Sequence, residues 1–308
     1  MLHIARFDPS HLEALVAIAD NGTFDAAARA LHVTPSAVSQ RIRALESVVG
    51  QVVVQRSTPC RPTAAGEVLL RLARQTRLLQ EEAAEALSDG HRLQADLPVA
   101  VNADSLATWF RGAMSEVARW SDQEQGLALR LHVEDQAHTA DLLRRGDVLA
   151  AVTSDAVPVQ GCTTEPLGVL RYFPAAAPEL AARYRTGRSP DWARMPVVVF
   201  NEKDRLQDDL LGDRPRPSIV HRVPTSADFL EAVCLGLGWA AIPEPQLRAE
   251  LERGRLQRLT ARGHLDVPLH WQRWRIDSPA LTRLTDAVRR AARAGLRPSV
   301  RKSPRTGP

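Results

Sequence analysis

The sequence contains few cysteines and no arrangement of residues that is typical of a metal or redox site. Its three cysteines, Cys60, Cys162 and Cys234, lie far apart, and no Cys-x-x-Cys pair occurs. The nine histidines include no His-Glu-x-x-His arrangement. We therefore predict no zinc site and no redox motif. No Gly-x-Gly-x-x-Gly or Walker loop follows a predicted strand, so the sequence also indicates no nucleotide cofactor.

Long hydrophobic runs are missing as well. Three acidic residues interrupt the first 20 positions, which is unlike a secretory signal. The longest apolar run, residues 232–243, contains two glycines and is too short to span a membrane. The 308 residues, 44% hydrophobic and 25% charged, are typical of a soluble globular protein with two or three domains. These features predict a cytoplasmic protein without a membrane partner.

The excess of positive charge is confined to one end of the chain. The net charge is +4, yet the residues from Trp271 to the end contain ten basic and two acidic side chains. The first 270 residues therefore carry a net charge of −4. The last residues, 297–308, are predicted to be a disordered basic tail. A nucleic-acid function must therefore be argued from local patterns and not from the bulk charge.

Residues 23–46 carry the pattern of a helix-turn-helix. Thr23 can cap a first short helix, and Thr34 followed by Pro35 is typical of the start of a second one. The second helix has a face of apolar residues at helical spacing that we expect to be buried: Val38, Ile42, Leu45 and Val49. Two helices of this size joined by a tight turn predict a DNA-reading motif. The alternative is an ordinary helical hairpin with a solvated polar face.

The flanking sequence favours the DNA-binding interpretation. Residues 9–21 form a preceding amphipathic pattern, and residues 52–62 form a short β-like run followed by a stiff basic loop, as in a wing. Short polar or fork-shaped side chains at the start and on the polar face of the second helix suit base edges and phosphates, and the wing arginines suit backbone phosphates. The predicted DNA-binding residues are Thr34, Pro35, Ser36, Ser39, Gln40, Arg43, Arg56 and Arg61.

This part of the chain resembles LysR-type transcriptional regulators. The resemblance is carried by the run Ala27-Ala28-x-x-Leu31-x-x-Thr34-Pro-Ser-Ala-Val-Ser-x-x-Ile42-x-x-Leu45-Glu46, with Gly50, Arg56 and Thr63-Ala-x-Gly66. The order Ser39-Gln40-Arg41-Ile42 departs from the usual Ser-Arg-Gln-Ile. Together with the wing and the run Val101-Asn-Ala-Asp-Ser-Leu-Ala-Thr-Trp109, it resembles the LysG/ArgP branch, whose members regulate basic amino-acid export.

Residues 63–90 predict a long linker helix. Its apolar residues follow a roughly heptad spacing, which is typical of pairing between helices: Leu69, Leu72, Thr76, Leu79, Ala83 and Ala86. The alternative is packing against the helix's own domain. The resemblance implies that two such helices pair in a homo-oligomer, a dimer or a tetramer, and place two heads on a palindromic operator.

Beyond residue 90, apolar runs alternate with helical patterns, which predicts an α/β domain with parallel layers. The resemblance implies a two-lobed fold shared with periplasmic binding proteins. We expect a helix-turn-helix head at 1–62, the linker helix at 63–90 and an effector domain at 91–296. Its first lobe would comprise 91–163 and 268–296, and its second lobe 164–267.

Ligands in α/β sheets bind at the carboxyl ends of strands and at helix starts, where several polar residues of this chain lie. Hydroxyl and amide groups there could hold a carboxylate, and aspartates could pair with a ligand cation. Helix capping alone would demand the same residue types. The predicted effector-binding residues are Asn102, Asp104, Ser105, Asp135, Thr153, Asn201, Thr225 and Ser226.

Together these patterns predict a DNA-binding transcriptional regulator controlled by a small molecule. The resemblance implies lysine or arginine as the effector and a basic amino-acid exporter gene as the target. Three alternatives stay open: a regulator of another metabolite, a less specific nucleoid or replication-control DNA binder, and an enzyme on the same α/β domain. No Ser/His/Asp or Cys/His set stands at a recognisable spacing, so we predict no enzyme.

Overall fold

The computed structural model describes residues 7–87, 95–121, 127–133, 139–187 and 189–299. The head consists of α1 (Pro9–Asn21), α2 (Phe24–Ala30) and α3 (Pro35–Val49). Thr23 and Thr34 cap α2 and α3 as predicted, because each hydroxyl accepts a hydrogen bond from an amide three residues later, at 3.1 and 3.2 Å. Gly50 ends α3 in the left-handed region, with φ at 72°.

The three helices share one core. The apolar face of α3 that the sequence predicts is buried through Val38, Ile42 and Leu45, against small residues of α2. The wing is an antiparallel pair, β1 (Val54–Gln55) and β2 (Arg61–Pro62). Gly66 permits the wing to pack closely, since a Cβ at this position would lie 2.1 Å from the carbonyl oxygen of Val53. The predicted winged helix-turn-helix is confirmed.

The linker helix α4 (Ala64–Leu87) packs on both domains. Leu69, Leu70 and Ala73 are buried in the head core, and Leu78 is buried in the core of the following domain. Leu69 therefore does not belong to an exposed seam, because it faces α1. Of the predicted seam, Leu72 and Leu79 are exposed, Thr76 is half-buried, Ala83 is exposed, and the side chain of Ala86 lies outside the described part of the chain. The boundary near residue 90 stays a prediction, since residues 88–94 are not described.

The following domain contains eight helices and eleven strands within the described ranges. The helices are α5 (Ala103–Ala107), α6 (Arg111–Ser121), α7 (Thr139–Arg145), α8 (Pro178–Arg183), α9 (Leu206–Leu211), α10 (Ser226–Cys234), α11 (Glu244–Glu252) and α12 (Pro279–Gly295). The strands are β3 (Ala95–Val101), β4 (Leu127–Val133), β5 (Ala150–Thr153), β6 (Cys162–Ala176), β7 (Arg185–Thr186), β8 (Ser189–Pro190), β9 (Val197–Val199), β10 (Val220–Arg222), β11 (Ala240–Pro243), β12 (Gln257–Arg258) and β13 (Leu265–Trp274).

Two long strands organise this domain. The main sheet has the order β11-β6-β13-β5-β3-β4, with β12 also paired to β6. Strands β3, β4 and β5 are parallel, whereas β6 and β13 run antiparallel to each other along their length. The expectation of parallel layers is confirmed for β3, β4 and β5 and for the pair β9–β10, and it is wrong for β6 and β13, which run antiparallel to each other. The predicted α/β class is confirmed.

The two crossing strands connect two lobes. The first lobe contains β3–β5, α5–α7 and α12, and the indoles of Trp271 and Trp274 are buried in its core. The second lobe contains α8–α11 with the parallel pair β9–β10, which a bridge from Val197 to Trp239 joins to the end of β11. Trp239 packs edge-on against Trp192, with the ring centroids 4.9 Å apart. Each lobe thus has its own aromatic core.

The helical segment between β3 and β4 is interrupted. Helix α5 ends at Ala107, and Thr108 has φ −121° and ψ −105°, which is not helical. The Thr108 hydroxyl donates to the carbonyl oxygen of Asp104 at 2.6 Å, and Phe110 turns into the core. The break allows the short helix α5 to present its first turn at the cleft while α6 packs on α12.

None of the helices in the described ranges has an apolar stretch of the length that a bilayer crossing requires. The same residues contain no group of three or more histidine, cysteine, aspartate or glutamate side chains arranged to hold a metal ion.

Arg74 joins the head, the linker helix and the first lobe. Its guanidinium contacts Asp20 of α1 at 2.5 Å and Asp147, which follows α7, and it donates to the carbonyl oxygen of Arg145 at 3.1 Å. The Arg74 side chain is only 14% exposed, and its partner Asp147 is less exposed than Asp20, so the contact with Asp147 is the better shielded of the two.

We expect Arg74→Ala to lower the free energy of unfolding by about 1–3 kcal/mol, because it leaves two carboxylates without their shared cation. The matched control is Arg77→Ala one turn away, since Arg77 makes an exposed ion pair with Glu81 at 3.3 Å. That control should cost less than about 0.5 kcal/mol. Urea denaturation measures both values, and equal losses would contradict a special role for Arg74.

Candidate functional site

The second helix of the head presents the polar face that the sequence predicts. Pro35, Ser36, Gln40 and Arg43 are exposed on α3, whereas Ser39 is half-buried. The exposed Thr34 hydroxyl lies 2.9 Å from the Ser36 hydroxyl as well as capping α3. These hydroxyls therefore fix the start of the helix, and the longer side chains of Gln40 and Arg43 reach furthest from it.

The wing arginines lie on the surface beside this helix pair. Arg56 and Arg61 are exposed, and Arg61 pairs in register with Gln55. The guanidinium carbon of Arg56 lies 5.0 Å from the centre of the Phe24 ring of α2, a cation–π contact that limits the positions of the side chain. Residues 7–62 contain five arginines and five acidic residues, so placed side chains and not net charge must produce DNA binding.

A cavity of about 500 Å³ lies between the two lobes. The first lobe contributes the turn into α5, the crossing strand β13 contributes its start, and the second lobe contributes the loop after β9 and the starts of α9 and α10. Its polar lining consists of Asn102, Asp104, Ser154, Asp155, Lys203, Asp204, Arg205, Gln207, Asp209, Ser226, Gln246 and Asp266.

The charge of this cleft is predominantly negative. Five aspartates line it, against the two cationic side chains of Lys203 and Arg205. Two of the aspartates are engaged within the protein. Asp266 accepts both hydrogen bonds of Arg171, at 2.6 and 2.7 Å, which lowers the pKa of its carboxyl, and Asp204 accepts from the amides of Phe200 and Leu206. An excess of carboxylates in a partly enclosed cleft favours a cationic ligand.

Two amide side chains of the cleft have one fixed end and one available end. Asn102 caps α5 by accepting from the amide of Ser105 at 2.7 Å, and Gln207 donates to the carbonyl oxygen of Val198 at 3.1 Å. Asn102 Nδ2 and Gln207 Oε1 are buried and have no hydrogen-bond partner among the described residues. Since buried polar groups are normally paired, these two atoms of cavity-lining residues are candidates for contact with a bound molecule.

Asp104 has a partner on a crossing strand. Its Oδ2 accepts a hydrogen bond from the hydroxyl of Tyr172, on β6, at 2.8 Å. Burial raises the pKa of the Tyr172 hydroxyl well above its usual value, and the charge of Asp104 raises it further. The phenol is therefore protonated and acts as the donor.

Asn102, Asp104 and Ser226 are the predicted effector residues that line this cavity. Ser105 is fully buried behind Asn102, and Thr153 is buried with its hydroxyl accepting from the amide of Asp155 at 3.0 Å. Asp135 lies outside the described residues.

Two further predicted residues lie in turns beside the cleft. The Asn201 side chain accepts from the amides of Lys203 and Asp204 at 2.8 and 3.2 Å. Thr225, before α10, pairs with Asp228 at 2.5 Å and lines a neighbouring groove. Sequence reasoning missed Lys203 and Asp204, which follow Asn201 in the loop after β9, and Gln207 in the first turn of α9.

The comparisons with known proteins agree with this architecture. Residues 9–67 match the model of the bacterial regulatory helix-turn-helix protein, lysR family, and residues 110–293 match the LysR substrate binding domain. The lysine export transcriptional regulatory protein LysG of Corynebacterium efficiens is 50% identical, over 94% of this chain and 99% of that protein.

Two solved structures are similar over their full length. LysG from Corynebacterium glutamicum with bound effector Arg is 46% identical, with a TM-score of 0.77, over 94% of this chain and 100% of that one. ArgP from Mycobacterium tuberculosis is 43% identical, with a TM-score of 0.83, over 96% and 100%. Because these matches account for the head and the two-lobed domain alike, the chain belongs to the LysR family of bacterial regulatory helix-turn-helix proteins.

Proposed function

We propose that this protein regulates transcription of a basic amino-acid exporter gene in response to lysine or arginine bound between its two lobes. The observation that carries the proposal is the cleft of about 500 Å³, whose described residues include five aspartates, one of them paired with Arg171, and two cationic side chains. The similar LysG of Corynebacterium efficiens is named for lysine export, and the similar LysG of Corynebacterium glutamicum holds arginine as its effector.

The chemistry of such an effector matches the lining of the cleft. A basic amino acid is a zwitterion with an additional cation, so its site needs donors for one carboxylate and acceptors for two cationic groups. Lys203, the unpartnered Nδ2 of Asn102 and the first turn of α10 at Ser226 supply donors. Asp104 and the exposed Asp155 and Asp209 supply carboxylates.

Ligand binding changes the activity of a regulator only if the affinity differs between two arrangements of the protein. We infer that the arrangement in which the lobes are closed has the higher affinity for the effector. The ion pairs of Arg74 connect the first lobe to the linker helix and to α1 of the head. Closure would then change the spacing of the two heads on the DNA. The result would be a change in DNA bending or in the choice of half-sites, while the protein stays bound to the DNA.

A second copy of the chain is the proposed partner of the linker helix. Val68, Leu72 and Leu79 are exposed at heptad-like spacing, and an open groove of about 460 Å³ lies between α1 and α4. Exposed apolar residues in a row favour burial against another helix. A homo-oligomer places two recognition helices on a two-fold operator.

We expect Gln40→Ala to reduce the ratio of operator to scrambled-DNA affinity by about tenfold, because it removes a contact to base edges. Arg56→Ala should weaken binding to both sequences alike and reduce the salt dependence by about one phosphate contact. Fluorescence anisotropy at two salt concentrations measures both effects, with Gln80→Ala on the linker helix as the control. If both variants changed the ratio of operator to scrambled-DNA affinity by the same factor, the assignment of a base contact to Gln40 and a phosphate contact to Arg56 would be wrong.

Asp104→Asn should largely remove the rise in melting temperature that lysine or arginine produces and leave a weak residual affinity, because the substitution removes a carboxylate from the cleft at nearly constant volume. Operator binding without effector should be unchanged. Asp213→Asn is the matched control, since Asp213 is exposed and does not line the cleft. A thermal-shift panel of the twenty amino acids measures the effect, and an undiminished shift in Asp104→Asn would remove Asp104 from the site.

Leu72→Glu should convert the oligomer into a monomer at micromolar concentration, because it introduces a charge into the exposed apolar row of α4. Light scattering gives the mass directly. Leu235→Glu makes the same substitution at an exposed leucine of the second lobe and should leave the mass unchanged. A wild-type protein that is itself a monomer would contradict the proposed pairing.

A further inference from the structure

Tyr172 lies where the two lobes meet. It is fully buried on β6, in register with Leu265 of β13 on one side and Pro243 of β11 on the other. Tyr172 packs in the core of the first lobe, whereas the next residue, Phe173, packs in a core of the second lobe. The strand therefore passes from one lobe to the other at this position.

The Tyr172 hydroxyl reaches the cleft through one contact. It donates at 2.8 Å to Oδ2 of Asp104, which is half-buried, lies in the first turn of α5 and lines the cavity. A neutral donor held at this distance stabilises the ionised carboxylate and limits the orientations that it can adopt. A fixed carboxylate loses less conformational entropy than a mobile one when a cation binds to it.

We propose that Tyr172 is a positioning residue for effector recognition: from the strand that connects the lobes, its hydroxyl holds the Asp104 carboxylate in the orientation that selects a cationic ligand. This role rests on the proposed function of the cleft. Through this hydrogen bond, strand β6 contacts the carboxylate that receives the cation. Binding of a cation to Asp104 therefore affects the position where the two lobes meet.

A purely structural role makes a different prediction. If the hydrogen bond only satisfied a buried hydroxyl, its loss would lower stability and weaken every ligand of the cleft to the same degree. The proposed role places the side-chain cation of the ligand on Asp104, so its loss weakens a ligand that carries this cation and spares a ligand of the same shape with a neutral side chain. Arginine and citrulline form such a pair, because citrulline replaces the guanidinium with a neutral urea group while both keep the α-ammonium and the carboxylate.

The test uses Tyr172→Phe in the full chain, with calorimetric titration of arginine and citrulline. We expect arginine affinity to fall about tenfold and citrulline affinity to change less than about twofold. Tyr184→Phe is the matched control, because Tyr184 is the only other tyrosine of the sequence. It should leave both affinities unchanged.

The outcomes separate this role from the proposed function. A wild-type protein that binds neither arginine nor lysine would overturn the proposed function itself. A wild-type protein that binds arginine, together with a Tyr172→Phe variant of unchanged arginine-to-citrulline ratio, would overturn the role of Tyr172 alone. In Asp104→Asn, adding Tyr172→Phe should cost no further arginine affinity, whereas additive losses would show that Tyr172 does not act through Asp104.

A spectroscopic measurement on unaltered Tyr172 completes the test. In the Tyr184→Phe background, tyrosine labelled with ¹³C at Cζ gives one resonance, that of Tyr172. We expect arginine to shift this resonance and citrulline to leave it in place. Equal shifts with both ligands, or none with arginine at saturation, would overturn the proposal.

Discussion

The pairing of β6 with β13 is the constraint on which the rest of the effector domain depends. The two strands are antiparallel from Tyr172 and Leu265 to Cys162 and Trp274, with one shift of register near Leu269. One end of the ladder continues into the parallel strands of the first lobe through β5, and the other end continues into β11 of the second lobe. Because one hydrogen-bonded ladder belongs to both lobes, they can turn relative to each other but stay joined, and the cleft keeps its floor.

The site on this floor consists of charged side chains and of polar side chains that a hydrogen bond fixes at one end. Asp266 and Asp204 are occupied by Arg171 and by backbone amides, while Asn102 and Gln207 each keep one buried polar atom without a partner in the described ranges. The occupied groups fix the walls, and the available groups define what can bind. The head follows the same pattern, because the Thr34 and Ser36 hydroxyls fix the start of α3 while the long side chains of Gln40 and Arg43 are exposed.

The head could be predicted almost completely, because its signals are local. A threonine three residues before the amide that it caps, a proline in the first turn and an apolar face with helical spacing specify α3 without reference to any other segment. The effector site could be predicted only in part. Asn201 and Thr225 carry the residue types of a binding site, but Asn201 accepts from amides of its own turn and Thr225 donates to Asp228. Sequence alone does not separate local contacts of this kind from contacts to a ligand, since both need the same polar groups.

The sequence by itself determined the family, the order of the domains and the polar face of the recognition helix, since each depends on spacings within one or two turns of a helix. Only the tertiary structure decided which residues share the cleft. Asn102, Gln207 and Asp266 come from distant segments, and the contact of Tyr172 with Asp104 joins residues 68 positions apart. Such contacts follow from the register of two long strands, which depends on packing across the whole domain and not on the residues next to them in the chain.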